Sequence, residues 1–262
     1  MFKKLFGGGS RTPAPSPRPG GRPPAPAPGP RPRSEHPGAA ALADAIRRES
    51  ANDPNVGAKI GAREVLQRLL TAMSHGPDRR VHAESLLTAL GALAGYACQM
   101  SVRAQNLTLG RPEFAGFIVA EADGKRFFFG EAPNKFLFED RFSVRSLAAG
   151  QATALGLPEE PNPHEVAKHV SETMGTPAFG VPRLPEGHRP AELPVVYVKT
   201  LWPAFFPTVK MTCQNPELWP LLYAVAAQQA MDMAKATMPP DLLYALVMEA
   251  AAPMAKVDLD RY

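Results

Sequence analysis

Apolar residues recur every three or four positions over much of the chain after residue 40, as they do along the buried face of an α-helix. The clearest stripe consists of Val65, Leu66, Leu69, Leu70 and Met73. This spacing, with glycine and proline as helix breakers, predicts helices at residues 40–49, 58–73, 80–104, 143–155, 163–175, 220–238 and 241–254. The body of the protein is therefore expected to be mainly α-helical.

The helix predicted at 80–104 carries two glycines on its apolar side. Gly91 and Gly95 lie four residues apart, and small residues at this spacing let a second helix approach closely. The apolar run around them, Leu86 to Cys98, is 13 residues long, whereas about 18 are needed to cross a bilayer. We expect a close helix crossing inside a soluble protein.

Alternating patterns in the middle of the chain predict strands. Residues 117–121 and 126–129 are rich in β-branched and aromatic side chains and are separated by an Asp-Gly turn, a strong hairpin signal. Two later runs, 194–201 and 207–211, are available as further strands. We predict an α+β fold, mainly α-helical, whose small antiparallel sheet (hairpin 117–129 plus strand 194–201) is covered by helices.

Five phenylalanines lie in or just after the second strand: Phe127, Phe128, Phe129, Phe136 and Phe138. Along a strand, Phe127 and Phe129 face one side and Phe128 the other. A strand that is apolar on both faces is covered on both. We therefore interpret the cluster as core and expect the sheet to lie between helical layers, with Phe136 and Phe138 in a loop that covers this core.

Proline content and charge divide the chain near residue 38. Eleven of the 30 prolines fall in the first 40 residues. These residues carry a net charge of +6 and the whole chain +4, so residues 41–262 carry −2. A basic segment rich in Pro and Gly is typical of disorder, so we predict a disordered arm (1–38) and a single globular α+β domain (39–262). Because the body is slightly acidic, no specific nucleic-acid binding is expected.

The tip of the arm is amphipathic. Phe2, Leu5 and Phe6 can form the apolar side of one short helical turn, with Lys3 and Lys4 opposite. Such a turn suits a partner groove or an anionic membrane surface. The arm is therefore a candidate tether, and these five residues are its candidate contacts.

Cysteine content indicates where the protein works. Cys98 and Cys213 are too few for a disulfide framework, and no apolar segment of a signal peptide follows Lys4. We expect a cytoplasmic protein, peripheral at the inner membrane if the tip docks there. The Ala, Pro and Arg usage is typical of a bacterium with a GC-rich genome.

The sequence "HEVAKH" resembles a zinc-binding helix but has the wrong spacing. Such helices place two histidines four residues apart, whereas His164 and His169 are five apart and point about 140° from each other. Asn162 as N-cap, Pro163 at the first helical position and Glu165 in a capping box explain the segment as a helix start. Phosphate-binding, nucleophile-elbow and dinucleotide motifs are also missing. We therefore expect no metal and no cofactor, and enzymatic activity is disfavoured.

A proline-rich loop at residues 176–194 is the best candidate site on the body. Long loops inside a compact domain are often functional. Arg183, His188 and Arg189 supply two guanidinium groups and an imidazole suited to a carboxylate or phosphate. The alternative is a solvated strap that only crosses the surface, pinned by Phe179.

Two function classes follow from these features. The leading hypothesis is a non-enzymatic protein whose helical body binds a macromolecular partner, a protein, and whose arm is a flexible tether. The alternative is a protein or enzyme that binds a small anionic ligand at the 176–194 loop.

Overall fold

The computed structural model of the protein describes residues 37–76 and 80–262. The predicted tip contacts Phe2, Lys3, Lys4, Leu5 and Phe6, and nearly all of the predicted arm, lie outside the described residues. The described chain has a mainly helical α+β fold, as predicted. The helices are α1 (Pro37–Glu49), α2 (Val56–Ala72), α3 (Ala83–Thr108), α4 (Glu131–Asn134), α5 (Val144–Ala154), α6 (Pro163–Thr173), α7 (Pro194–Thr212), α8 (Trp219–Ala234) and α9 (Pro240–Met254). The strands are β1 (Ile118–Ala122) and β2 (Lys125–Phe129), and a π-helical turn (Lys135–Glu139) continues α4.

Helix α3 is the centre of the core. It packs against α7, α8 and α9, and Leu87, Leu90 and Leu93 are fully buried in it. Within the described part of the chain, α3 is also the helix long and apolar enough to cross a bilayer, but 94% of its most apolar window is buried inside the protein. Its apolar composition is therefore accounted for by its neighbours in the core.

Helices α3 and α9 cross in close contact at the two predicted glycines. A Cβ atom added to Gly91 would overlap the backbone of Val247, and one added to Gly95 would overlap the backbone of Ala251. Because the contact positions advance by four residues on both helices, the two helices run parallel here. The missing side chains are thus what allows the two backbones to touch, which confirms the predicted crossing.

The predicted strand at 194–201 is wrong, because these residues form the first part of α7. The suggested strand at 207–211 belongs to the same helix. The buried positions follow helical spacing: Val198, Trp202, Phe205 and Val209. Packing of this stripe against α2 and α3 outweighs the local preference of valine for strands.

Two prolines lie inside α7, where proline normally interrupts a helix. Pro203 and Pro207 lack the N–H that would bond to the carbonyl oxygen four residues earlier. Both are exposed, so the carbonyl groups left without a helical partner lie on the solvent side, where water can bond to them. The helix therefore continues through both positions.

Strands β1 and β2 form the predicted antiparallel hairpin. The described helices do not cover β1, in which Ile118 is 68% exposed and Val119 is 48% exposed. The outer edge of β2 bonds to the end of the chain, where the Phe128 N–H donates to the Lys256 carbonyl at 2.7 Å. The expectation of helical layers on both sides of the sheet is therefore corrected: the hairpin lies at the surface with its second strand turned inward.

The interpretation of the phenylalanines as core is confirmed for Phe127 and Phe128, which are fully buried. The Phe127 ring packs against Phe179, and the Phe128 ring stacks on Phe114, each with 4.8 Å between ring centroids. One face of β2 thus packs into the main core, and the other is covered by an aromatic side chain from the loop before β1.

Candidate functional site

The loop at 176–194 is fastened to the body by ion pairs. Arg183 Nη2 donates to Glu249 Oε1 of α9 at 2.6 Å, and Arg183 Nε donates to the same oxygen at 3.1 Å. The backbone N–H of Arg183 donates to this carboxylate as well, at 3.2 Å. Glu249 is buried, so Arg183 supplies the countercharge that a buried carboxylate needs.

The structure holds the other two predicted loop residues apart from Arg183. His188 Nδ1 lies 3.1 Å from Glu84 Oε1 in the first turn of α3, and Arg189 is exposed. Gly91 of α3 lies beside Val247 of α9, and the two helices run parallel, so Glu249 lies level with position 93 of α3. Glu84 precedes this position by about nine residues, which is roughly 13 Å along the helix axis. The contacts seen here fasten the loop, and a ligand-binding role for Arg183, His188 and Arg189 stays a prediction.

A cavity of about 560 Å³ lies among α5, α6, β2, the π-helical turn and the segment after α9. Half of its lining residues are apolar, among them Phe129, Phe138 and Val170, and the other half are polar or charged. The polar side chains come from different elements and include Asn134 and Lys256. A cavity of this size can hold a small molecule, and this lining offers it both ring surface and hydrogen-bonding groups. We call it the Lys256 cavity.

Lys256 lies at the buried end of this cavity and is 5% exposed. Its backbone is fixed on both sides, because the buried Gln99 amide donates to the carbonyls of Met254 at 3.0 Å and of Val257 at 2.9 Å. The Lys256 carbonyl itself is bonded to Phe128 of β2. Hydrogen bonds from two elements, α3 and β2, thus hold the backbone of Lys256 in place before any ligand is bound.

The amino group of Lys256 lacks a negative partner. Its Nζ donates to Asn134 Oδ1 and lies 5.5 Å from the centroid of the Phe129 ring. Among the described residues, no carboxylate lies within ion-pair distance of this atom. Burial lowers the pKa of Lys256 from its ordinary value to about 8, against the opposing effects of Cys98 and of the Glu139 carboxylate. The cavity therefore ends in a poorly compensated cation.

The other strong cation of the cavity is already paired. Arg145 of α5 donates through Nε to Glu160 Oε1 at 2.5 Å, and this hydrogen bond raises the pKa of Arg145. Glu139 and His164 line the cavity from exposed positions. Of the lining cations, Lys256 is thus the one whose charge is open to a ligand.

Two aromatic walls come from different parts of the chain. Phe129 ends β2, and Phe138 lies in the π-helical turn, where the Asp140 N–H donates to the Lys135 carbonyl at 2.9 Å. A π-helical turn holds one residue more than an α-helical turn and is frequent at functional sites. The π-helical turn stands where the sequence predicted a loop around Phe138. Phe138 packs on the core, as expected, and also lines the cavity.

Sequence reasoning missed Lys256 and Asn134. One signal was available, because Lys256 is the single charged residue in "AAAPMAKV", the apolar run in which α9 ends. His164 was considered only as a metal ligand, and Phe129 and Phe138 only as core. The partners of Lys256 come from distant parts of the chain, so no local pattern predicts the cavity.

Comparison with known proteins gives no family for this arrangement. No protein-family model, no curated protein and no solved structure matches the chain. Function therefore has to be inferred from the chemistry of the cavity and from the surface of the body.

Proposed function

We propose that the protein binds a small anionic molecule with a planar, apolar body in the Lys256 cavity. The observation that carries this proposal is the buried amino group of Lys256, which has Asn134 but no described carboxylate as a partner. An anion supplies the missing countercharge, and a charge-assisted hydrogen bond is stronger in a site with little water. Phe129 and Phe138 offer ring surface to a planar body.

This proposal keeps the anionic ligand expected from the sequence but moves its site. The loop at 176–194 contains two of the expected cations in contacts with carboxylates, at Arg183 and His188. The Lys256 cavity is partly open to solvent and contains a cation that has no such contact with a described carboxylate. The cavity is therefore the better place for an anion.

We expect 8-anilinonaphthalene-1-sulfonate (ANS), a fluorescent aromatic anion, to bind the folded protein at one site. Lys256→Met is expected to weaken binding about tenfold, because a hydrogen bond to a charged group contributes about 1.5 kcal/mol. Ala167→Trp, which places a bulky ring at the cavity wall, is expected to abolish binding. A fluorescence titration at pH 7 measures both effects.

Lys168→Met is the matched control for these variants. Lys168 lies beside Ala167 on α6, but its side chain is 65% exposed and does not line the cavity, so the affinity for ANS should stay as in the wild type. Thermal unfolding checks the fold of each variant, since ANS also binds partly unfolded chains. Equal affinity for wild type and a folded Ala167→Trp variant would place the dye elsewhere and overturn the proposal.

A second candidate function, binding of a protein partner, is favoured by the open edge of β1. Val119 pairs with Phe128, whose N–H points away from β1 toward Lys256. In such a pair the backbone groups of Val119 also point outward, and in the described part of the chain they have no hydrogen-bond partner. An extended segment of a partner can add here as a further strand. A basic segment is favoured by the net charge of −2 on residues 41–262.

Val119→Pro is expected to prevent this strand addition while leaving the hairpin intact, because proline removes only an outward N–H. The measurement compares proteins captured by the wild type, by Val119→Pro and by Met233→Ser, which removes an exposed apolar side chain from α8. A partner lost with Val119→Pro and retained with Met233→Ser is the expected result. Recovery of the same partners with all three baits would exclude the β1 edge.

The tether and the location complete this second candidate. Deleting residues 1–38 should change the partners captured or the location if the arm is a tether, and unchanged behaviour would argue against it. We keep the cytoplasm as the proposed location because Cys98 and Cys213 are buried free thiols.

A further inference from the structure

The amino group of Lys256 is placed so that it can act as a nucleophile when it is not protonated. An ammonium group has three N–H donors, and one bond of Lys256 Nζ is directed at Asn134 Oδ1. When the group loses a proton, Asn134 can retain its hydrogen bond from one of the two remaining N–H groups. The lone pair is then left for an atom that approaches through the cavity.

The environment of Lys256 also favours the neutral amine. With its pKa lowered to about 8 by burial, roughly a tenth of Lys256 is neutral at pH 7, against about one in three thousand for an ordinary lysine. Four ionisable groups face it from other elements or line the same cavity: Cys98, Glu139, Arg145 and His164. Cys98 is fully buried, and burial raises the pKa of its thiol. Cys98 and Glu139 both act to raise the pKa of Lys256, but the effect of burial outweighs them.

We propose that Lys256 forms a reversible Schiff base with a small aldehyde or ketone bound in the cavity. This inference rests on the proposed function, and it narrows the ligand class to a carbonyl compound, in particular one that also carries a negative charge. A buried lysine in an apolar pocket is one of the established ways in which proteins activate an amine.

The reaction is balanced without any oxidant or reductant. The lone pair of the neutral Lys256 amine forms a bond to the carbonyl carbon, and the carbonyl oxygen takes up a proton as the nitrogen releases one, which gives a carbinolamine. The carbon–oxygen bond then breaks, the hydroxyl group leaves with a proton as water, and the carbon–nitrogen double bond forms. Glu139 and His164, at exposed positions of the cavity, can carry protons between this centre and solvent.

The test uses 4-carboxybenzaldehyde, an aromatic anion with one aldehyde, together with cyanoborohydride, which reduces the imine to a stable amine. Peptide mass spectrometry of the folded wild-type protein then compares the labelling rates of individual lysines. We expect Lys256 to be labelled at least tenfold faster at pH 7 than the exposed Lys168. Lys256→Arg, which retains the charge, should remove this label and leave that of Lys168 unchanged.

Terephthalate separates this inference from the proposed function, since it replaces the aldehyde by a carboxylate and cannot form an imine. We expect it to displace ANS and to slow the labelling of Lys256. If terephthalate displaces ANS but Lys256 is labelled no faster than Lys168, the cavity binds anions and the Schiff base is wrong. If terephthalate does not displace ANS and Lys256 is not labelled preferentially, both proposals are wrong.

Discussion

Gly95→Ala is expected to lower the free energy of unfolding by about 3 kcal/mol, because α3 and α9 cannot both keep their places around an added methyl group. The new Cβ would lie 2.6 Å from the carbonyl carbon and 2.7 Å from the Cα of Ala251. Both atoms belong to the backbone of a buried helix, so no side chain can turn away to make room. One of the two core helices has to shift.

Gly150→Ala is the matched control for this substitution. Gly150 lies inside α5, and a Cβ at this position would meet nothing within 4 Å. Since alanine is a better helix former than glycine, Gly150→Ala should raise the free energy of unfolding by about 0.5 kcal/mol. Urea unfolding of the two variants measures both effects, and a loss of less than 1 kcal/mol in Gly95→Ala would contradict the close crossing.

The burial of Lys256 is expected to make the stability of the protein rise with pH in the alkaline range. The pKa of Lys256 is about 8 in the folded protein against an ordinary 10.5, so between these values the unfolded chain binds more protons than the folded one. Stability therefore increases as pH rises through this window. From pH 7.5 to pH 10 the expected gain from this residue is about 2 kcal/mol.

Comparison with Lys256→Met isolates this effect from the titration of other groups. The difference in the free energy of unfolding between wild type and Lys256→Met should move in favour of the wild type by about 2 kcal/mol between pH 7.5 and pH 10. Urea unfolding at several pH values gives this difference. If this difference is independent of pH, Lys256 has its ordinary pKa in the folded protein, and the claim that it is buried at the cavity is wrong.

Local patterns predicted the helices well where packing follows the same period as the sequence. The stripe from Val65 to Met73 covers the second half of α2 and its C-cap. Asn162 caps α6 by accepting a hydrogen bond from the His164 N–H at 3.0 Å. The prediction failed in α7, where the valines favour a strand and two prolines remove helical hydrogen bonds. There the free energy of burying Trp202 and Phe205 decides the conformation, and that term depends on partners in other elements.

The candidate site could not be predicted from the sequence, because its residues have partners in distant parts of the chain. Lys256 and Asn134, which are in contact, are 122 positions apart, and Arg183 and Glu249 are 66 positions apart. Arg183 looked like an anion-binding residue because the sequence does not show that Glu249 is its carboxylate partner. With Arg183 paired, the poorly compensated cation is Lys256, which lies in a segment without a recognisable motif.

The most direct test of the Lys256 cavity as a ligand site is a crystal structure of the protein with ANS. We expect the sulfonate within hydrogen-bond distance of Lys256 Nζ and the aromatic body between Phe129 and Phe138. Dye bound only at another surface, with the cavity filled by the protein's own side chains, would contradict the proposed function.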